Sequence, residues 1–391
     1  MVDVGTSSPS AKRIGLNAHL LSQSQSYRGA GISGYIMQLL RCLSHDVSGG
    51  SEYGAGFHYL AYLQEGAPEF GPDLQVRSTT WNTSRPWQRI LWEQTCLMRY
   101  SRDLDLVHGL AYAAPLAAAC PTVVTVHDLS FVRFPGAFRA FNRVYLRWIT
   151  RLSARRAAQV IAVSGSTRDD LVRLFGLTAE RVTVVHNGVT EDFSPAAEDE
   201  VEAFRQAKGL PSRFVLYVGT IEPRKNLVRL VDAYAQLPPP IRKNAPLVIG
   251  GGKGWFYSQV FQRVADLGLE GSVIFPGFLP IEELPWWYRA ASLFVYPSVF
   301  EGFGLPVLEA LASGTPVITS NTSSLPEVAG DAAILVDPRD ASALSNAMLQ
   351  VLSDRSKAEA MRELGTVQAA KFSWQRTARE TEAVYKSVLE R

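Results

Sequence analysis

The sequence predicts an α/β protein of two doubly wound domains facing a central cleft, and three observations predict it. Short apolar runs alternate with helical spacings along nearly the whole chain, which is the pattern of parallel sheets covered by helices. A polar, acidic stretch at 190–213 interrupts the alternation midway. Glycine-bearing loops follow several of the apolar runs, at the strand ends where open α/β sheets bind ligands.

Taken in order, residues 1–12 read as a polar tail without the apolar core of a secretory signal. The first domain, 13–190, carries strands at "RIGLNAH", "FHYLAYL", "LDLVHGL", "TVVTVHD", "QVIAVSG" and "VTVVHNG". The stretch 191–212 is the linker. The second domain, 213–371, carries "RFVLYVGT", "APLVIGGG", "SVIFPGF", "SLFVYPS", "TPVITS" and "AAILVDP", and 372–391 is a final helix. The weakly polar run at 109–126 holds two prolines and much alanine, so it reads as loop, short helix and strand, not as a membrane span.

Composition fits an ordinary globular chain: 391 residues, 47% hydrophobic and 19% charged. The formal net charge of +2 gives no footing for a nucleic-acid partner. Cys42, Cys96 and Cys120 show neither paired nor metal-ligand spacing and fit buried thiols in a reducing compartment, so a cytoplasmic location is expected.

The most informative stretch is "FEGFGLPVLEALASGTPVITS", 300–320. It reads as a loop, a helix with Pro306 at its start and Gly314 at its C-cap, and a strand. Gly302 and Gly304 clear side chains from a helix N-terminus, where unpaired N–H groups favour an anion. Glu301 in the loop and Glu309 about one turn into the helix can reach one ligand, and carboxylates accept hydrogen bonds from sugar diols. The bland alternative is a glycine turn with two solvated glutamates.

"VGTIEPRKNLVRLVDAYAQL", 218–237, is a second strand-loop-helix unit, with Arg224 and Lys225 before a helix that Asn226 caps. Such cations suit a diphosphate. "RGAGISGY", 28–35, is expected to be a glycine loop over the cleft before the helical "YIMQLLRCL". His19, His108, His127 and His186 fall near strand ends, and the His127-Asp128 neighbour pair does not by itself imply a catalytic dyad. The dinucleotide fingerprint and the P-loop both fail, the latter because Gly254 stands where Ser or Thr is needed. No cluster suggests a metal site.

Leu129 to Arg168 holds no Asp or Glu, and Arg139, Arg143, Arg147, Arg151 and Arg155 recur every four residues. Such a basic amphipathic helix can rest on anionic lipid, hold a phosphorylated acceptor, or simply be a solvated face.

Together these residues resemble the family 4 glycosyltransferases, with their GT-B fold of two Rossmann-like domains, over nearly the whole chain. "GISGY", "VVTVHDLSF", "VIAVSGSTRDDL", "VTVVHNGV", "VGTIEPRKNL" and "EGFGLPVLEALASGTPVI" carry the resemblance. It implies that Glu301 contacts the donor sugar and Glu309 the nucleotide ribose. Backbone at Gly302, Phe303, Gly304 and Leu305 would line sugar and phosphates, with Phe278 and Leu279 also on the donor side. Arg224 and Lys225 would neutralise the leaving diphosphate, His127 would lie near the transferred sugar, and the loop around Gly31 would close on the phosphates.

Thr220 stands where many family members have an arginine, so either Arg224 takes over its charge or phosphate binding rests on Lys225 alone. The resemblance further implies retention at the anomeric carbon by a front-face reaction, no metal, and a final helix that crosses back to the first domain. The implied donor is GDP-mannose ahead of UDP-glucose or UDP-N-acetylglucosamine. A glycan or lipid-linked acceptor would meet Trp81, Trp87, Trp92, His108 and Tyr112, with peripheral contact to the inner membrane face through Arg139, Arg143, Arg147 and Arg151. The rival readings are a non-catalytic nucleotide-sugar-binding subunit and an epimerase or phosphorylase of the same fold.

Overall fold

A computed structural model of the chain describes residues 11–21, 30–44, 56–64, 70–71, 74–83, 85–137, 140–252 and 254–391. Most of the expected tail, the start of the "RGAGISGY" segment, and Arg139 lie outside the described residues.

The first seven strands are β1 (Lys12–Asn17), β2 (Phe57–Gln64), β3 (Leu74–Thr79), β4 (Leu106–Gly109), β5 (Thr122–Val126), β6 (Gln159–Ala162) and β7 (Val182–Val184). They form one sheet in the order β3-β2-β1-β4-β5-β6-β7. A second sheet holds β8 (Val215–Val218), β9 (Leu247–Gly250), β10 (Val273–Gly277), β11 (Leu293–Tyr296), β12 (Val317–Ser320) and β13 (Ala333–Val336). Its order is β10-β9-β8-β11-β12-β13. Neighbouring strands pair in parallel in both sheets. Strand order therefore reverses between β1 and β4 and again between β8 and β11, and such switch points open crevices at the carboxyl ends of the strands.

All twelve expected strands are present, and β3 is additional. Its sequence "LQVRST" is largely exposed on the sheet edge, so it lacks the apolar run that marks its neighbours. The glycine segment also differs from expectation. Gly31 and Gly34 lie in helix Ala30–Leu43, whose Tyr35, Ile36, Leu39, Leu40 and Leu43 are buried. That apolar stripe outweighs the modest cost of two glycines in a helix. The linker stretch likewise contains helix Glu198–Lys208; its Val201 is buried with the second sheet's core, and Phe204 stacks on Trp286.

The final helix, Trp374–Leu389, buries Trp374, Ala378, Val384, Tyr385 and Val388 in the core of the first sheet. A Ser373 side chain caps its N-terminus. This helix thus ties the end of the chain to the sheet at its beginning. The three cysteines are half-buried and in no disulfide.

Candidate active site

The carboxyl ends of the two sheets meet. A Cβ built on Gly302 would stand 1.9 Å from the His127 carbonyl oxygen, so only glycine lets the loop after β11 touch the end of β5 this closely. The Ser164 hydroxyl donates to the Gly302 carbonyl at 2.6 Å. Glu327 accepts from the Gly165 and Ser166 N–H groups, each at 2.8 Å, at the start of helix Gly165–Phe175, and stands 3.5 Å from His186. The second sheet's carboxylate therefore caps a helix of the first.

In the crevice between β8 and β11, Glu301 gathers the charged groups. Lys225 Nζ donates to its Oε1 at 2.6 Å and Arg224 to its Oε2 at 3.0 Å, while the Tyr296 and Ser298 hydroxyls donate to Oε1 at 3.1 and 2.5 Å. Burial alone would raise the Glu301 pKa, but Arg224 and then Lys225 outweigh it and hold it at about 2. Burial lowers the Lys225 pKa against the pull of Glu301. Arg224 also pairs with Glu222 at 2.9 Å, and its guanidinium stays charged under the combined field of Glu301, Asp128 and Glu222. Asn226, at positive φ, fixes this loop by donating to the Pro297 and Pro338 carbonyls.

Glu309 is half-buried in helix Leu305–Ala312 and accepts from the Tyr288 hydroxyl at 2.9 Å. With no cation beside it, burial pushes its pKa up to about 7, only partly offset by that hydrogen bond. The two glutamates eight positions apart are thus electrostatically opposite: one locked as an anion, the other poised to titrate.

Of the remaining expected site residues, His127 follows β5 and is buried, its ring edge-on to Tyr35 and Tyr112 and its carbonyl against Gly302. Its Nε2 meets the Leu110 carbonyl at 3.0 Å, and a carbonyl only accepts, so Nε2 carries the proton and Nδ1 keeps its lone pair. Burial lowers its pKa to about 4, leaving the ring neutral near pH 7. Tyr112, also at positive φ, donates to Asp128 at 3.3 Å. Phe303 is buried against His186 and Phe372. Gly304 adopts φ 114° at the helix start, and Leu305 packs against both cores. Phe278 is exposed, whereas Leu279 packs under β9 against Gly250.

Two expected acceptor residues are core instead. His108 is fully buried, bonded to the Tyr385 hydroxyl at 2.6 Å and to Thr125 at 2.8 Å, so both ring nitrogens are used. Trp92 packs with Leu60, Tyr62, Leu97 and Val107 beneath the sheet. An apolar neighbourhood in both cases, and satisfied ring nitrogens for His108, decide the matter. Sequence reasoning missed Glu222, Ser298 and Glu327. The Pro-Ser turn after β11 and the acid in "SSLPEV" were the available signals.

Arg143, Val144, Arg147, Trp148 and Arg151 line an open pocket on helix Ala140–Arg156, in which Trp148 and Val144 are exposed. Among the described residues no helix is long and apolar enough to cross a membrane, and no group of three His, Cys, Asp or Glu could hold a metal ion.

The sequence pattern described as Glycosyl transferases group 1 matches residues 199–367, and that of Glycosyltransferase Family 4 matches 54–193. The chain is 39% identical over 266 residues to O-antigen chain mannosyltransferase B of Escherichia coli, covering 68% of this chain and 70% of that protein. It is 33% identical over 265 residues to the serotype-specific mannosyltransferase WbdA of Escherichia coli, covering 66% of this chain but only 32% of WbdA. The chain therefore spans about a third of that relative. Sucrose-phosphate synthase from Thermosynechococcus elongatus shares the fold with a TM-score of 0.78 at 22% identity, over 97% of this chain and 99% of that one.

Proposed function

This chain belongs to the group 1 glycosyltransferases, and we propose that it moves a mannosyl residue from GDP-mannose to a hydroxyl of a growing surface polysaccharide, with retention at the anomeric carbon. The observation that carries the reading is the Glu301–Lys225–Arg224 cluster at the β8/β11 switch point, with the His127 backbone of the first sheet packed on the adjoining Gly302. The choice of mannose is supported by the mannosyltransferase relatives.

In this reading the diphosphate lies along the loop after β8 and the N-terminus of helix Leu305–Ala312. Arg224 and Lys225 counter the charge that grows on the leaving phosphate, and their fixed positions mean that little reorganisation is needed as the bond breaks. Glu301 orients both cations and can accept from a hydroxyl of the donor sugar. The Nδ1 lone pair of His127 can accept another. Glu309 accepts from the ribose diol. Among the described residues Glu301 is held by two cations and Asp128 accepts from Tyr112 and Ser130; in this reading the acceptor attacks on the face the diphosphate leaves, with a phosphate oxygen taking the proton. Two cations and a helix N-terminus supply the stabilisation, so the reaction proceeds without a divalent metal.

Incubation with GDP-mannose and a mannoside acceptor, with product analysis by NMR, tests this reading. An α-linked mannoside is expected from the α-configured donor. A β-linked product would refute retention, and donor binding without transfer to any acceptor would favour a non-catalytic binding subunit.

A further inference from the structure

A second polar cluster lies on the first sheet, outside everything assigned above. Asn17 ends β1 and His19 follows it, at the β1/β4 switch point. Glu93 comes from the helical segment before β4, where it opens a π-helical stretch, Glu93–Leu97. Their exposures are 7, 5 and 4%, so all three side chains are withdrawn from bulk water. Asn17 Nδ2 donates to Glu93 Oε1 at 3.1 Å, and Arg89 Nε stands 3.9 Å from that same oxygen.

Four atoms of this cluster have no hydrogen-bond partner: Asn17 Oδ1, Glu93 Oε2 and both ring nitrogens of His19. Buried polar atoms are almost always paired, because an unpaired one loses its hydration without compensation. Four together, at a strand-order reversal, point to a ligand; a packed core would have replaced them with apolar groups. A wide helical turn is also a frequent companion of functional sites.

The chemistry of the four atoms selects the ligand. The amide oxygen accepts, burial raises the Glu93 pKa so that its carboxyl is able to donate as well as accept, and burial lowers the His19 pKa to about 3, so its neutral ring offers one acceptor and one donor. The set therefore mixes acceptors and donors, and it suits hydroxyl groups, which both give and accept a hydrogen bond. The face of Trp92, 4.1 Å from His19 and edge-on to it, holds the imidazole in place.

We propose that Asn17, His19 and Glu93 form the subsite that binds the hydroxyls of the acceptor sugar. The inference rests on the glycosyltransferase reading and adds to it the residues that read the acceptor's hydroxyls. The donor's Glu301–Lys225–Arg224 cluster lies at the β8/β11 switch point of the second sheet, whereas this one lies at the β1/β4 switch point of the first.

The test uses the full chain and its Glu93→Gln and His19→Gln variants, with GDP-mannose and methyl α-mannoside as probes. Initial rates give the acceptor KM, calorimetry gives the GDP-mannose Kd, and thermal unfolding gives Tm. The expected result is an acceptor KM raised at least about tenfold in both variants, a donor Kd within about twofold of the parent, and an undiminished Tm. An acceptor KM unchanged in both variants overturns the subsite while leaving the transferase reading intact. A joint loss of donor affinity and Tm overturns it too, by showing a structural network. Absence of transfer by the parent chain removes the transferase reading, and this inference with it.

Discussion

The donor affinity of this chain is expected to fall steeply below pH 7, and Glu309 is the reason. Burial without a cationic neighbour sets its pKa at about 7, whereas His127 at about 4, and His19 and His108 each at about 3, finish titrating well below that range. Glu301, at about 2, stays ionised throughout. If the ribose diol binds the ionised carboxylate, one pH unit below its pKa leaves about one molecule in ten competent, and the apparent Kd rises about tenfold. Glu309→Gln removes the titration and the charge-assisted hydrogen bonds, weakening binding at pH 8 by roughly one to two orders of magnitude.

Calorimetric titration of the nucleotide sugar from pH 5.5 to 8.5, in parent and variant, measures both effects. The parent should lose affinity progressively toward acid, and the variant should be weak and flat. A parent Kd constant between pH 6 and 8, or a variant that keeps the acid slope, would refute the reasoning.

Lys225→Ala should lower kcat by about 10²–10³ with a smaller effect on donor Kd, since the charge it meets grows as the bond breaks; a change confined to acceptor KM would show that Lys225 is misassigned. Gly302→Ala pushes a methyl into the His127 carbonyl, and the resulting displacement of the β11 loop should cost roughly 10²-fold in kcat/KM with native circular dichroism. Glu327→Gln should loosen the contact between the two sheets, read as a larger radius of gyration by small-angle scattering. In the parent, burial would raise the Glu327 pKa, but His186 and the Gly165 and Ser166 N–H groups outweigh it and lower it. That stabilisation is therefore present above the ordinary carboxylate pKa and lost as pH falls through the depressed one, and the variant should not show this acid-side loss.

Much of this arrangement was legible in the sequence because parallel strands buried on both faces are written as short apolar runs. The two loops carrying Arg224, Lys225 and Glu301 could be placed at strand ends from that pattern alone. Edge strand β3 could not, since half its residues face solvent and its sequence resembles a loop. The start of helix Ala30–Leu43 was hidden because glycines read locally as a turn, while the tertiary packing of Tyr35 and Leu39 determines the outcome.

Site residues divide in the same way. Glu301 and Glu309 share one short segment, so their placement in the loop after β11 and on the helix that follows could be read locally. The pairing of Asn17 with Glu93 joins residues from a strand end and a distant helix, and only the fold brings them within 3.1 Å. His108 shows the converse: a strand-end histidine becomes a core residue because Tyr385, on the last helix, satisfies it. Whether a strand-end polar residue becomes site or core thus depends on partners supplied from elsewhere in the chain.

The most direct test of the central claim is a thermal-unfolding panel of GDP-, UDP- and ADP-sugars on the parent chain and on Glu309→Ala. A ligand that binds only the native state raises its Tm, by an amount that grows with its concentration over Kd. The account predicts a rise with GDP-mannose in the parent, largely abolished in the variant. No rise with any nucleotide sugar, or an equal rise in parent and variant, would contradict it.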